Sequence, residues 1–501
     1  MSWLTNLIEL LFGKPPQRKR KATEPEKDTV ATPIEDLEPK GAPGNKPYGD
    51  VAASAQLGHA KTEARTPAPS SAIVEAAGAF SPEVVILVPE FKNDREAGFT
   101  NRVLETLRAA RMLNVRSVER GISSPGDRPN VAKLALFYAE ARAALHEQSA
   151  DVLLYGEVLR NGLRMRMVSA VPSGEARMGD FGIGDALMVP HNFGSELANL
   201  VYAGVLAAAL PAKPDHHDAL TPYLVGAAEQ SMKLLETLPD SVDPEQIGSI
   251  FTYLGVVCGA KWRLHKMSTS LVATVASFEK ASNEGPSELA PLAMAELKIR
   301  LGIALQELAS VNNDADMFEE SLDAYETVTS ALDPSKNPRE WGLAYMCLGN
   351  AFLSRGKTEL SVDDCDRANA AFDASMKVFT KEKDKPRWLD AMTAKGAALM
   401  TAGAIHTGTK ELEAATDVLR EVLKERDRRT QPLPWAQASN GLGSAAFALA
   451  KRTQNRTQLD EAIACFDGAI SIYESLNQTV AIGIVRKNQQ RAYRLRETIG
   501  N

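Results

Sequence analysis

A glycine that recurs every 47 residues constrains the fold of this chain more than any other sequence feature. It stands at Gly255, Gly302, Gly349, Gly396 and Gly443, and no insertion breaks the interval. Self-similarity at a fixed period is typical of repeat proteins, in which each unit buries its apolar face against its neighbours. The sequence therefore predicts a stacked array of five units.

Residues in phase with the glycines divide each unit into two helices. Prolines open successive units, at helix starts where the missing N–H costs nothing: Pro291, Pro338, Pro386 and Pro434. A second series is aromatic or large and apolar: Phe278, Tyr325, Phe372, Leu419 and Phe466. Glycine inside a helix costs about 1 kcal/mol relative to alanine, so its recurrence needs a steric reason. We predict that the second helix of each unit approaches the glycine closely.

The first helix of most units carries a Leu-Gly dipeptide, as in Leu348-Gly349, followed by an in-phase alanine. Lys395-Gly396 departs from this dipeptide. Together with the small and aromatic residues of the second helix, the pattern resembles the tetratricopeptide repeat, lengthened from about 34 residues. The resemblance covers residues 230–500. It implies that residues 213–501 form an all-α solenoid of about five helix hairpins with capping helices at 223–238 and 482–498.

The same resemblance implies a function, because tetratricopeptide arrays bind protein or peptide partners along a concave wall lined by the first helices. The family pattern places on this wall Arg300, Tyr345, Asn350, Met392, Ser439 and Asn440. For each of these residues, an ordinary solvated surface position is the alternative.

Composition narrows the class of protein further. A chain of 501 residues is too long for one core and should hold two or three domains. The net charge of −7 gives no reason to expect a nucleic-acid partner. Four scattered cysteines without a CxxC pair indicate reduced thiols of a cytosolic protein. No run approaches the roughly 20 apolar residues of a membrane-spanning helix, and we expect neither a metal nor a cofactor.

Residues 1–13 predict an amphipathic helix that lies in a membrane interface. In helical projection its large apolar side chains share one side, and a basic block follows immediately. The predicted membrane-binding residues are Trp3, Leu4, Leu7, Ile8, Leu11, Phe12, Lys14, Arg18, Lys19, Arg20 and Lys21. A signal peptide is rejected, because there is no basic stretch before the apolar run and no small-residue cleavage site. Docking on the protein itself or on a partner helix stays an alternative to peripheral attachment at the inner face of the cell membrane.

Residues 14–80 are first basic and then rich in proline and alanine, with almost no aromatic side chains. Such a segment cannot bury enough apolar surface to offset the entropy of ordering it. We predict a disordered linker that tethers the N-terminal helix to the folded part of the chain.

Residues 81–212 show the alternating strand and helix patterns of a small α/β domain. An uninterrupted apolar run at 84–88 predicts a strand buried on both faces, and Asn161-Gly162 predicts a hairpin turn between the third and fourth strands. Helices are expected at 96–113, 131–148 and 192–210, so the element order is βαβαββα. The predicted fold class is multidomain, with this α/β domain followed by the all-α solenoid.

Three segments of this domain resemble the TolB-N-like α/β domain of bacterial proteins, some of which join it to tetratricopeptide repeats or to a cyclase domain. The segments are VPEFKN at 88–93, ADVLLYGEV at 150–158 and LRMRM at 163–167. The aspartate-rich turn that usually follows the first strand is shortened here to Asp94-Arg95-Glu96.

Catalytic motifs are scarce in the α/β domain. No glycine-rich phosphate loop follows the first strand, and the kinase-like DFG triplet at 180–182 lacks the rest of the kinase signature, so it is interpreted as a chance turn. The DHHD run at 215–218 is expected to be a polar loop, because adjacent side chains diverge and cannot ligate one metal. Glu90, Asp94 and Glu157 could converge at strand ends, where α/β sheets bind ligands, although solvated loop acids are the commoner outcome.

Two functions remain. The preferred one is a non-catalytic adaptor that is tethered by its N-terminus and binds a protein or peptide with the array. The alternative is an enzyme or small-molecule sensor centred on the α/β domain, with the array as its regulatory arm.

Overall fold

The computed structural model describes residues 83–118, 122–126, 129–172, 177–284 and 290–499. The predicted amphipathic helix, with its membrane-binding residues from Trp3 to Lys21, and the predicted linker lie outside the described residues. The chain divides into two compact units, of which the first ends at Leu343 and the second begins at Ala344.

Within the described part of the first unit, five strands form one mixed sheet. They are β1 (Val84–Pro89), β2 (Leu113–Val118), β3 (Val152–Leu159), β4 (Gly162–Ser169) and β5 (Leu187–Val189). The spatial order is β2-β1-β3-β4-β5. β1 is parallel to β2 and β3, whereas β4 pairs antiparallel with both β3 and β5. The β3–β4 hairpin turns at the predicted Asn-Gly pair. The short strand β5 was not predicted, because three apolar residues are too few to show a period.

Helices cover both faces of this sheet. They are α1 (Gly98–Arg108), α2 (Val131–Glu147) and α3 (Ser195–Ala209). Alternate residues of a strand point to opposite faces, so Ile86 of β1 packs in the core that contains α1 and α3, and the adjacent Leu87 packs in the core that contains α2. This alternation explains why the strand is an unbroken apolar run. Helix α1 is shorter than the predicted 96–113, and Met112 with φ 65° follows its end.

The apolar helix α3 deserves separate mention because of its composition. In the described residues, the stretch Ser195–Ala212 is long and apolar enough to cross a membrane, and 61% of it is buried inside the protein. Its side chains Leu200, Val201 and Leu206 are fully or almost fully buried in the same core as β1. Packing against the sheet accounts for its apolar sequence.

Twelve consecutive helices follow the sheet domain in the described residues. In the first unit these are α4 (His217–Met232), α5 (Pro244–His265), α6 (Ser268–Glu284), α7 (Ala290–Asn312) and α8 (Ala315–Ala331); α9 (Pro338–Glu359) runs through the boundary. The second unit continues with α10 (Val362–Met376), α11 (Lys385–Ile405), α12 (Lys410–Glu425), α13 (Pro432–Thr453), α14 (Arg456–Ser475) and α15 (Thr479–Ile499). Helix α4, predicted at 223–238, starts earlier and contacts both α3 and α5.

The recurring glycine lies against the second helix of its own pair, as predicted. A Cβ atom at Gly302, Gly349, Gly396 or Gly443 would lie 2.5–2.8 Å from Tyr325, Phe372, Leu419 or Phe466 respectively, and Gly255 meets Phe278 in the same way. Real Cβ atoms essentially never show contacts this short, so only glycine admits the ring or leucine at these positions. One contact thus repeats through five helix pairs, which is the packing expected of a helical-repeat protein.

Candidate functional site

The segment between β4 and β5 docks onto the first helices of the array. Its residues 178–185 (MGDFGIGD), which we call the docking loop, lie against α5 and α7. A Cβ atom on Gly179 would lie 2.5 Å from the backbone nitrogen of Ala260, and a Cβ atom on Gly259 would lie 2.8 Å from the carbonyl carbon of Met178. Loop backbone and helix backbone therefore touch directly, which explains the glycines on both sides of the contact.

Two ion pairs fix the docking loop at its ends. Asp180 Oδ1 lies 2.6 Å from Arg263 Nη1 of α5. Asp185 accepts two hydrogen bonds from Arg300 of α7, at 2.5 and 2.8 Å. Arg300 and Asp185 are only 3% and 4% exposed. Burial by itself lowers the pKa of Arg300, but the Asp185 carboxylate outweighs it and the pKa is raised, so this guanidinium stays charged.

Glu296 of α7 binds the backbone of the same loop. Its two carboxylate oxygens accept hydrogen bonds from the N–H groups of Ile183 and Gly184, at 3.1 and 2.9 Å. Arg339 Nη1 lies 3.9 Å away. These contacts favour the ionised carboxylate, yet burial and the nearby Asp185 carboxylate raise the pKa of Glu296 to about 7. The carboxylate occupies a nest of successive N–H groups, an arrangement suited to anions.

Two further contacts join α5 to the sheet. The Tyr253 hydroxyl donates to the Met165 carbonyl of β4 at 3.3 Å, and the Met188 N–H of β5 donates to the Ser249 hydroxyl at 2.9 Å. We define the docked wall as Tyr253, Ala260, Arg263, Glu296 and Arg300, the residues of α5 and α7 that hold the α/β domain. Removing one member of a buried ion pair typically costs about 3–5 kcal/mol. Through these ion pairs and backbone contacts, the docked wall binds a glycine-rich, acidic segment of the same chain.

The structure separates the six residues predicted to face a partner. Arg300 is buried and paired with Asp185, so it belongs to the docked wall and is not accessible. Ser439 is 1% exposed and its hydroxyl donates to the Cys465 carbonyl of α14 at 2.9 Å. Met392 packs beside an apolar cluster that includes Leu389. Arg300 and Ser439 are thus held by contacts within the chain, whereas Met392 is half-buried.

Like Met392, the other three predicted residues keep some exposure. Asn350 of α9 is exposed, whereas Tyr345 and Asn440 are half-buried. In Asn440 of α13 the side-chain oxygen Oδ1 is buried and has no hydrogen-bond partner. A buried acceptor without a donor costs roughly 1–3 kcal/mol, which makes this position a candidate for contact with a partner. Binding by these residues stays a prediction.

The acids predicted at the strand ends do not form one site. Glu90 is exposed, and Asp94 accepts the Phe99 and Thr100 N–H groups at the start of α1, at 3.2 and 2.6 Å. Glu157 is 2% exposed. It pairs with Arg164 at 2.7 Å and accepts the Ser124 hydroxyl at 2.5 Å. The carboxylates of Asp94 and Glu157 are thus used in folding.

Metal and thiol chemistry find little support in the described residues. No group of three or more His, Cys, Asp and Glu side chains there could hold a metal ion. The DHHD run spans a short turn and the first residues of α4, where His217 bonds the Leu210 carbonyl. All four cysteines are free thiols. Burial raises the pKa of Cys258 and of Cys347 to about 12, so these two are protonated and unreactive.

Sequence reasoning missed the docked wall. In the sequence, Asp180 belongs to a DFG triplet interpreted as a chance turn, and no known motif includes Asp185, Arg263 or Glu296. The signal that could have found them is the glycine spacing of MGDFGIGD, which is unusual for a loop that merely joins two strands. No protein-family model matches the chain, and no curated protein matches it either.

Proposed function

We propose that this protein is a non-catalytic scaffold that binds a protein or peptide partner with a tetratricopeptide-like array of lengthened helix hairpins. The observation that carries the proposal is the glycine contact repeated through five helix pairs. Arrays of this kind present long surfaces built from equivalent positions, and they recognise partners by shape and many small contacts.

The polar groups of the α/β domain favour a scaffold over an enzyme. At the carboxyl end of the parallel strands, the Ser124 hydroxyl donates to Glu157 and accepts from Lys92 Nζ and the Gly126 N–H, both at 3.1 Å. Arg164 also pairs with Glu157. Among the described residues these groups bond to one another, which supports a structural role for them. The TolB-N-like domain then acts as a docked partner of the first helices, in keeping with its resemblance.

The N-terminal sequence supports a second part of the proposal, in which the scaffold is attached to an anionic membrane at its cytoplasmic face. Partial burial of the large apolar residues at 3–12 contributes up to about 1.5–3 kcal/mol per fully buried side chain. The basic residues at 14–21 each add about 1 kcal/mol near anionic lipid. Together they can offset the ordering of roughly a dozen residues.

The scaffold function is tested by placing a bulky cation on the array. Thr401 of α11 is half-buried and lies in the same repeat phase as Ala260 of the docked wall. The full chain and its Thr401→Arg variant are used as baits for partner capture from a lysate of the native host. The matched control is Thr407→Arg, an exposed position just beyond α11. We expect Thr401→Arg to lose the wild-type partner and Thr407→Arg to retain it.

Circular dichroism must show that both variants are folded. Equal capture by all three baits would place the binding surface elsewhere. Capture of no specific partner by the wild-type chain would contradict the scaffold function itself.

A further inference from the structure

The first two helix pairs already hold a peptide-like segment, and they show what chemistry the array recognises. The docking loop presents backbone at Gly179 to the backbone of Ala260, and it presents carboxylates of Asp180 and Asp185 to Arg263 and Arg300. A small residue that lets the chain approach and a cation that pairs with an acid are therefore the two elements of this recognition.

Both elements recur in helix α13 of the second unit. Ala448 lies four repeat lengths of 47 residues after Ala260, and Lys451 lies four repeat lengths after Arg263. Ala448 and Lys451 are both half-buried. Within the described residues, no carboxylate pairs with Lys451. The α13 face thus repeats the arrangement of α5 without the acid that would complete it.

Helix α15, which contacts α13, carries further positive charge at positions equivalent to residues of α13. Lys487 and Arg491 of α15 are in phase with Asn440 and Ser444 of α13. No carboxylate among the described residues pairs with Lys487, and Arg491 Nη1 is buried without a hydrogen-bond partner. Asn440 Oδ1 of α13 is likewise buried without a hydrogen-bond partner.

We propose that α13 and α15 bind an extended acidic segment of a partner protein, with glycine next to its carboxylates, in the way that α5 and α7 bind the docking loop. Lys451, Lys487 and Arg491 pair with the partner's carboxylates. Asn440 Oδ1 accepts a backbone N–H of the segment, and Ala448 allows its backbone to approach. This inference rests on the scaffold function and names the chemistry of its partner.

The probe for the test is a fluorescent, end-capped peptide with the sequence of residues 177–186 (RMGDFGIGDA). Its affinity for the full chain is measured by fluorescence anisotropy at low salt. We expect saturable binding by the wild-type chain and a dissociation constant raised by about tenfold or more in Lys451→Glu and in Arg491→Glu, since each loses an ion pair. Lys410→Glu, which reverses an exposed cation at the start of α12, should bind as the wild type does. A peptide with both aspartates changed to asparagine should bind about tenfold more weakly.

Several outcomes overturn the inference. These are no binding by the wild-type chain, equal losses in Lys451→Glu and Lys410→Glu, or unchanged binding of the asparagine peptide. A loss confined to Arg263→Gln would place the peptide on the docked wall and also overturn it. If the wild-type chain captures a partner that Thr401→Arg loses but does not bind the peptide, the scaffold function stands and only the acidic-segment inference fails.

Discussion

Alanine substitutions at two neighbouring glycines of α13 should change stability in opposite directions. A Cβ atom on Gly443 would lie 2.8 Å from Phe466 Cε1 and 3.1 Å from the backbone oxygen of Ala462. Phe466 is fully buried, so its ring has no room to move aside. A Cβ atom on Gly441 would lie 3.5 Å from Leu419 Cδ1, an ordinary van der Waals contact.

The magnitudes follow from two opposing effects. Alanine gains about 0.5–1 kcal/mol over glycine inside a helix at both positions. Overpacking at Gly443 costs about 1–3 kcal/mol. The free energy of unfolding should therefore rise by about 0.5–1 kcal/mol in Gly441→Ala and fall by up to about 2.5 kcal/mol in Gly443→Ala.

Urea unfolding of the full-length variants, followed by circular dichroism, measures this difference. A shift of about 2–4 °C in melting temperature per kcal/mol provides a second readout. If Gly443→Ala is as stable as Gly441→Ala, ring packing is not the reason for the recurring glycine, and the phase assigned to every first helix loses its basis.

Two further predictions concern acid–base behaviour and the N-terminus. The pKa of Glu296 is raised to about 7, so its protonated form stabilises the folded state; that contribution is complete below the ordinary pKa of 4.5 and is lost as pH rises through 7. Urea titrations from pH 5 to 8 should show the free energy of unfolding falling less in Glu296→Gln than in the wild type. The remaining fall comes from Glu279, whose pKa is raised to about 8 by burial and by Glu320. Identical slopes of stability against pH in the two proteins would refute this. Deleting residues 2–13 should release the protein from anionic liposomes in a flotation assay. Unchanged binding to the liposomes would contradict the membrane proposal.

The helix pairs and most strands were predictable because their signals are local and periodic. The glycine interval gives the phase of each first helix, and the in-phase series from Phe278 to Phe466 identifies the side chains that meet it. Strand β1 and the β3–β4 hairpin lie at their predicted places, since β-branched runs and an Asn-Gly turn act within a few residues.

The docked wall was not predictable for the opposite reason. Arg300 and Asp185 are 115 residues apart in sequence, and neither has a local pattern that names the other. The glycine phase shows which face of α7 meets α8, but it does not show what covers the opposite face. The tetratricopeptide pattern leaves that face of α7 to solvent or to a ligand, whereas in this chain the docking loop covers it.

The charges of the docked wall act on specificity more than on net stability. Moving two charges out of water costs several kcal/mol for each ion, and their attraction returns only part of that. The same charges penalise every other register, because a shifted loop would leave Arg300 or Glu296 buried without its partner, at about 3–5 kcal/mol. The α/β domain is therefore held in one position on α5 and α7. Since that wall is filled within the chain, the proposed partner is assigned to α13 and α15, where Asn440 Oδ1 is buried without a hydrogen-bond partner.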